Sequence, residues 1–366
     1  MSAIDLLERI SAPWIDRHRL RVRWFDAWHP ALDEALQELP EMETCPHELF
    51  RMLMQHPSKE AKRTALVSKA GQPVAIAGLR RNKWHWSPVG HDVCPRSIMP
   101  VREGYLFPAL AALGVAVRIA YWEQPAPPLA WIREPSSIPV YKMDLTTDFE
   151  RYWRSSGHIK AIRPARSRTK TFTFDVDAPG SVTWSVQQWA DKWRDHRSDE
   201  ILCVDDRILA AEYHQARGQH HTFRLLDNGT PIAASTFFVH RNDLLWQTTF
   251  RAPEYTWHRV GTRLLELTFE WAAKAGYSKI DLGGGHEFKS SWAPEDGLEW
   301  SFDVCPAHLH LAKTAARNTL KLAMKARALA RTATRRDVAV ESGTVLDNSR
   351  RAPVHGGAFD ASGESV

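Results

Sequence analysis

One pattern occurs twice along this chain, and a fold that accommodates one copy must accommodate the other. TALVSKAGQPVAIAGLRR (64–81) alternates apolar and polar residues around a Gly-containing turn, which predicts two strands joined as a hairpin. TFRLLDNGTPIAASTFFVHR (222–241) repeats it, and Gly71, Pro73 and Ala75 match Gly229, Pro231 and Ala233 at a constant offset of 158. After the first hairpin comes a helix-compatible stretch, Glu103 to Leu113, then Gly114 and the strand-like AVRIAYWE. After the second comes an amphipathic helix, Val260 to Lys274, then Gly276 and YSKIDLGG; Gly114 and Gly276 stand 162 apart. Two copies of hairpin, helix, Gly and strand predict a tandem duplication of one α/β unit. The 366 residues suffice for two domains.

Several function classes fall away on composition. The four cysteines (Cys45, Cys94, Cys203, Cys305) are far apart with no CxxC pair, which argues against a zinc site or a disulfide scaffold. No metal is expected. No apolar run approaches a membrane span, since Phe107 to Val117 is short and contains Pro108. MSAIDLLERISAPW lacks the basic-then-apolar pattern of a secretion signal, so a cytoplasmic protein is the expectation.

The net charge of +5 is concentrated. Ala307 to Arg336 holds eight basic residues and no acid, which leaves the remainder at −3 and argues against a general nucleic-acid binder. Within it Lys313, Arg317, Lys321 and Lys325 recur at i+4 beside an apolar stripe of Leu309, Ala312, Ala316, Leu320 and Ala323. This reads as a helix packed on the domain with its charges in water, and peripheral contact with an anionic membrane is the rival reading. Residues 337–366 read as a disordered tail. Between the copies, Lys160 to Lys170 carries five basic residues on an interdomain helix expected to break near Pro164. The run reads as a solvated face, with an anion-attracting rim as the rival.

KIDLGGGHEFKSSW (279–292) concentrates chemistry at a strand end. It is no Walker loop, because Phe288 rather than Gly precedes Lys289, and GxGxxG fails because no Gly follows Gly285 within reach. Glycines after a strand let the backbone turn or another group approach closely. His286, Glu287 and Lys289 then offer a base, an acid and a cation, against the alternative of a solvated Gly-rich turn. A second candidate is the start of the long helix, where free N–H groups, Gly261, Arg259 and Arg263 suit an anion. An amphipathic core helix with an early Gly is the alternative there.

LDNGTPIAASTFF and RVGTRLLELTFEWAAKAGYSKIDLGGGHEFKSSWAP resemble the GNAT-type acyltransferases, particularly the FemAB-like, double-GNAT branch and its CelD-type polysaccharide-biosynthesis members. The likeness rests on a small-residue helix start and on a strand ending in Asp-x-Gly-x-Gly, followed by an acid and an aromatic–Lys pair. Those are Asp281, Gly283, Gly285, Glu287, Phe288 and Lys289 here. The resemblance extends over roughly residues 60 to 306 and is weaker in the first half.

The resemblance implies an α/β (α+β) fold of two tandem GNAT-like units, each a mixed, mainly antiparallel sheet flanked by helices. The expected organisation is a degenerate first unit at 1–148, a transferase unit at 149–306, the basic helix at 307–336 and the tail. It further implies an acyl-CoA co-substrate, acetyl-CoA or longer, with its acyl arm beside Leu245 to Arg251. Its pyrophosphate would lie near Arg259, Gly261, Thr262 and Arg263. Glu287 or His286 would serve as base, Lys289 as cation, and Asp281, Gly283, Gly285 and Phe288 would line the substrate side, with Asp281 orienting the turn. The acceptor would be an amine or hydroxyl of a small molecule or glycan of the cell envelope. The helix start departs from Gln/Arg-x-x-Gly-x-Gly/Ala, because Gly261 follows Arg259 after one residue and Arg263 replaces the second small residue. The donor therefore stays open. An aminoacyl-tRNA-dependent transferase, the one case in which nucleic acid is expected as a partner, and a non-catalytic scaffold are the rival functions.

Overall fold

The computed structural model describes residues 19–305, apart from 59, 83, 84, 92, 130, 147, 195–202 and 286, together with 318 and 319. The chain divides into two units, Met1–His310 and Leu311–Val366. The basic helix expected at 307–336 and the tail after it lie outside the described residues, save those two positions.

The first copy runs β1 (Leu20–Phe25), α1 (Pro30–Gln37), α2 (His47–Gln55), β2 (Lys62–Lys69), β3 (Gln72–Arg81), β4 (Trp86–Pro88), α3 (Leu106–Ala112), β5 (Val117–Trp122) and β6 (Ile132–Asp144). Two linking helices follow, α4 (Phe149–Ser155) and α5 (Ile159–Arg168). The second copy repeats the order as β7 (Thr173–Val176), α6 (Ser181–Arg194), α7 (Val204–Gln215), β8 (His220–Asp227), β9 (Thr230–His240), β10 (Asp243–Arg251), α8 (Val260–Ala275), β11 (Lys279–Gly284) and β12 (Glu295–Val304).

The matched glycines and prolines have a common physical cause. Ala70 and Gly71 in one hairpin, and Asn228 and Gly229 in the other, all have positive φ, as a tight type I′ turn requires. Pro73 pairs with Ser68, and Pro231 with Leu226, each beside a register shift. A bulge is where a strand tolerates a residue without an N–H.

Twelve strands form one sheet in the order β1-β2-β3-β4-β5-β12-β6-β11-β10-β9-β8-β7. Exchanging every strand for its counterpart and reading from the other end restores the same order, so the two copies are related by pseudo-twofold symmetry. The last strand of each copy is traded: β12 pairs with β5, β6 pairs with β11, and the two meet in the middle. Phe302 and Val304 of β12 therefore pack in the first core with Val67, Leu79 and Ile119. Tyr141 and Met143 of β6 pack in the second with Phe223, Phe237, Phe269 and Ile280. In space each copy completes the sheet of the other, although the chain passes from one to the other only once, near residue 148.

The linking helix breaks elsewhere than expected. Gly157, with φ of 77°, separates α4 from α5, and Pro164 lies inside α5. One lost backbone hydrogen bond is tolerated there because Ile159, Ile162 and Ala165 bury one face of the helix. The long α8 buries Val260, Leu264, Leu265, Thr268, Phe269 and Ala272, and ends on Gly276 in the left-handed conformation.

Candidate active site

The sheet opens at one place in the second copy. β10 and β11 run parallel but pair at only three positions, Asp243–Lys279, Leu244–Ile280 and Leu245–Asp281. A bulge between Trp246 and Thr248 then sends β10 along β9 to Arg251, while β11 follows β6 to Gly284. The strands diverge towards their C-terminal ends, the usual ligand side of an open α/β sheet. From Trp246 onward, one edge of β10 has no strand pairing among the described residues.

The first copy has the same parallel contact, Trp86–Val117 between β4 and β5, but its own chain fills the divergence. His91, 4% exposed, accepts the Ala120 N–H on Nε2 at 3.0 Å, and its Nδ1 lies 3.2 Å from the Ser97 carbonyl oxygen. Residues 89–105 join β4 to α3 and supply this plug, whereas the shorter 252–259 join β10 to α8.

Each of the three glycines closing β11 has its own role. Against β6, Asp281 registers with Lys142 and Gly284 with Val140, so an extra residue bulges between them and brings both onto one face. Gly283 supplies the positive φ of that bulge, 66°, and its N–H is held by Asp281 Oδ1 at 2.8 Å. A Cβ on Gly284 would lie 2.5 Å from Ile138 Cδ1 and 3.1 Å from Glu299 Oε2, so only glycine fits without displacement. Gly285, with φ of 101°, turns the chain into the 3-10 turn Glu287–Ser291.

Charged groups from both copies converge on this face. Lys289 is 8% exposed; its Nζ donates to the Gly284 carbonyl at 2.7 Å and lies 5.5 Å from the centre of the Trp246 ring. Burial pushes its ammonium down to about 8, against the pull of Glu299 and Asp281. Burial, then Asp281, pushes the Glu299 carboxyl up to about 7, and Lys289, the Gly284 amide and Lys142 only partly offset this. Glu299 Oε2 is buried without a hydrogen-bond partner among the described residues. Asp281 is buried and lies 3.4 Å from Lys142 Nζ and 3.6 Å from Arg96. Arg96 in turn pairs at 2.6 Å with Glu123, so the first copy reaches into the site. A half-buried carboxyl and a buried amine both titrating near neutrality suit proton transfer.

The residues singled out in the sequence divide accordingly. His286 and the side chain of Glu287 lie outside the described residues. Lys289, Asp281, Gly283 and Gly285 come together, but Lys289 turns inward onto the backbone instead of out towards an acceptor. Phe288 is 50% exposed, with its ring edge-on to Trp246 at 6.0 Å. Arg259 is exposed at the head of α8, beside half-buried Gly261 and Thr262. The nearest neighbour to a Cβ on Gly261 is Arg251 Cδ at 3.7 Å, so packing does not demand glycine there.

Arg263 has a partner on its own helix. Its Nη1 donates at 2.6 Å to Glu266, which is fully buried and also held by Arg166, so its charge neutralises a core carboxylate. Glu299 and Arg96 were not marked out by the sequence. Along β12, Glu299, Ser301 and Asp303 alternate with Trp300, Phe302 and Val304, a pattern that reads as an ordinary polar face. The strand exchange is what carries Glu299 beside Gly284.

Residues 157–290 match the family model described as an acetyltransferase (GNAT) domain. The matched segment lies in α5 and the second copy, and the first copy repeats the same element order in one mainly antiparallel sheet with flanking helices. No curated protein matches the sequence. Among solved structures, L-PGS from Bacillus licheniformis is similar at 12% identity and TM-score 0.45, over 78% of this chain and 96% of that one. A tandem GNAT protein from the clavulanic acid biosynthesis pathway is similar at 12% identity and TM-score 0.42, over 79% and 99%. FemX is similar at 10% identity and TM-score 0.41, over 78% and 98%. Among the described residues no His, Cys, Asp and Glu cluster is arranged for a metal, and no helix is long and apolar enough to cross a membrane.

Proposed function

We propose that this chain is an acyltransferase that moves an acetyl or longer acyl group from acyl-CoA to an amine or hydroxyl of a cell-envelope glycan or related small molecule. The observation that carries this reading is the buried, unpartnered carboxylate oxygen of Glu299 beside Gly284, at the end of a strand pair that opens. A carboxyl with a pKa near 7 can take a proton from an attacking nucleophile and release it again. The acceptor nitrogen or oxygen forms a bond to the acyl carbon and gives its proton to Glu299. The carbon–sulfur bond breaks, and its electron pair leaves with the thiolate. Lys289 favours the ionised form of Glu299 against burial and Asp281, and N–H groups along the open edge of β10 suit the developing oxyanion. Exposed Arg259, with half-buried Gly261 and Thr262 at the head of α8, suits the donor pyrophosphate. Asp281 orients the glycine turn, and half-exposed Phe288 lines the acceptor side. A cytoplasmic setting, with the basic 307–336 segment touching an anionic membrane, belongs to the same reading.

The test is acyl transfer by purified protein from a panel of acyl-CoAs, with Glu299→Gln alongside. A fall in kcat of roughly 10²- to 10⁴-fold is expected for removal of a general base. Undiminished turnover in that variant would overturn the assignment.

A further inference from the structure

The turn joining β10 to α8, Pro253–His258, stands at the mouth of the divergence, because β10 and β11 separate towards their C-terminal ends. Most of its aromatic residues are anchored. Phe172 contacts Tyr255 at 5.9 Å and His258 at 5.7 Å between ring centres, and Tyr255 Oη donates to Asp227 at 2.8 Å. Trp257 is left out of this cluster and is 70% exposed.

Arg168, at the end of α5, holds that indole in place. Its Nη1 donates to the Trp257 carbonyl at 2.7 Å, and its guanidinium lies 3.7 Å from the centre of the indole ring. One face of the ring is therefore covered by a cation, while the exposure leaves the other in water. Folding gains little from an indole displayed in this way. The position is also preorganised, since the same arginine fixes both the backbone and the ring plane. Exposed Lys170 and Arg259 flank the pair in sequence, with Glu254 the nearby acid. Ala252 is buried, and Glu254, Thr256 and Arg259 are polar, so the segment that carries Trp257 offers a mainly polar surround to the exposed ring. The surface suits a single planar ring that carries phosphate.

We propose that Trp257 and Arg168 form a stacking platform for the adenine of the acyl donor. Resting on the acyltransferase reading above, this makes the donor an adenosine-bearing ester or thioester and excludes phosphopantetheine held on a carrier protein. Coenzyme A and the 3′ end of a charged RNA share that adenosine, and the experiment separates them.

Calorimetric titration of full-length wild type, Trp257→Ala and Trp257→Phe would use three probes. These are coenzyme A, 4′-phosphopantetheine, and a short acceptor-stem RNA ending in a non-hydrolysable aminoacyl-adenosine. Wild type should bind one adenosine-bearing probe at least tenfold tighter than 4′-phosphopantetheine, and the probe that binds names the source. Trp257→Ala should weaken that probe by about 5- to 150-fold, the range expected for one lost base stack. It should leave 4′-phosphopantetheine unaffected and keep its melting temperature, while Trp257→Phe retains most of the affinity. Equal affinity in wild type and Trp257→Ala, equal binding of both probe classes, or binding of neither adenosine-bearing probe overturns the platform. Glu299→Gln separates the two ideas, because full turnover there defeats the base assignment and leaves the stacking affinity standing.

Discussion

The ammonium of Lys289 is bonded to the carbonyl of Gly284, five residues back along the same chain, and that bond ties the glycine turn to the carboxylate beside it. Lys289 opposes the rise in the Glu299 pKa. Lys289→Met should therefore move the acid limb of the pH–rate profile to higher pH, with maximal turnover reduced. A limb that stays in place would separate Lys289 from Glu299.

The wild-type profile should be bell-shaped. Activity rises as Glu299 ionises near 7 and falls above about 8 as Lys289 loses its proton. Stability follows the opposite logic for Glu299. Its folded pKa lies above its ordinary value of 4.5, so its contribution is fully present below 4.5 and lost as pH rises through 7. Glu299→Gln should therefore be more stable than wild type at pH 8, by about 1–3 kcal/mol in urea denaturation, while losing activity.

The glycines give a paired test. In Gly284→Ala the new methyl meets Ile138 at 2.5 Å, and overpacking of that kind costs about 1–3 kcal/mol. In Gly261→Ala the new methyl meets only ordinary contact, so the helix should gain about 0.5–1 kcal/mol. Donor KM should nevertheless rise in Gly261→Ala if phosphate approaches that backbone. Thermal melts and donor titration of both variants decide it.

The two arginines of the α8 head should behave oppositely. Arg263→Ala strips one of two cations from buried Glu266 and should destabilise the fold by about 1–3 kcal/mol, with donor KM little changed. Arg259→Ala should leave the melting temperature within a degree or two and raise donor KM. The reverse pattern would restore Arg263 to the donor site.

Acid should unfold this protein partly through His220. That residue is fully buried with neither ring nitrogen hydrogen-bonded among the described residues, and burial pushes its pKa down to about 3. Between 6.5 and 3 the unfolded chain binds a proton that the folded chain refuses, so stability falls with pH across that window. His220→Leu should shift the acid-unfolding midpoint to lower pH, measured by circular dichroism.

The repeat, the two hairpins, the long helix and the glycine-ended strand are all legible in the order of residues. These are local: a type I′ turn demands positive φ, a bulge admits proline, and a buried helix face recurs at its own period. Asp281 and Lys289 were legible for the same reason, since they adjoin an unusual glycine run. The exchange of last strands between the two copies emerges from long-range pairing, because a strand's alternation selects its faces and not the edge it joins. The same crossing decided which carboxylate meets the glycine turn. Glu299 and Arg96 are ordinary residues in their own segments, and long-range pairing places them beside Gly284 and Asp281. It was likewise packing, and not the helix-start pattern, that turned Arg263 inward to Glu266, because a buried carboxylate needs a cation more than the surface does.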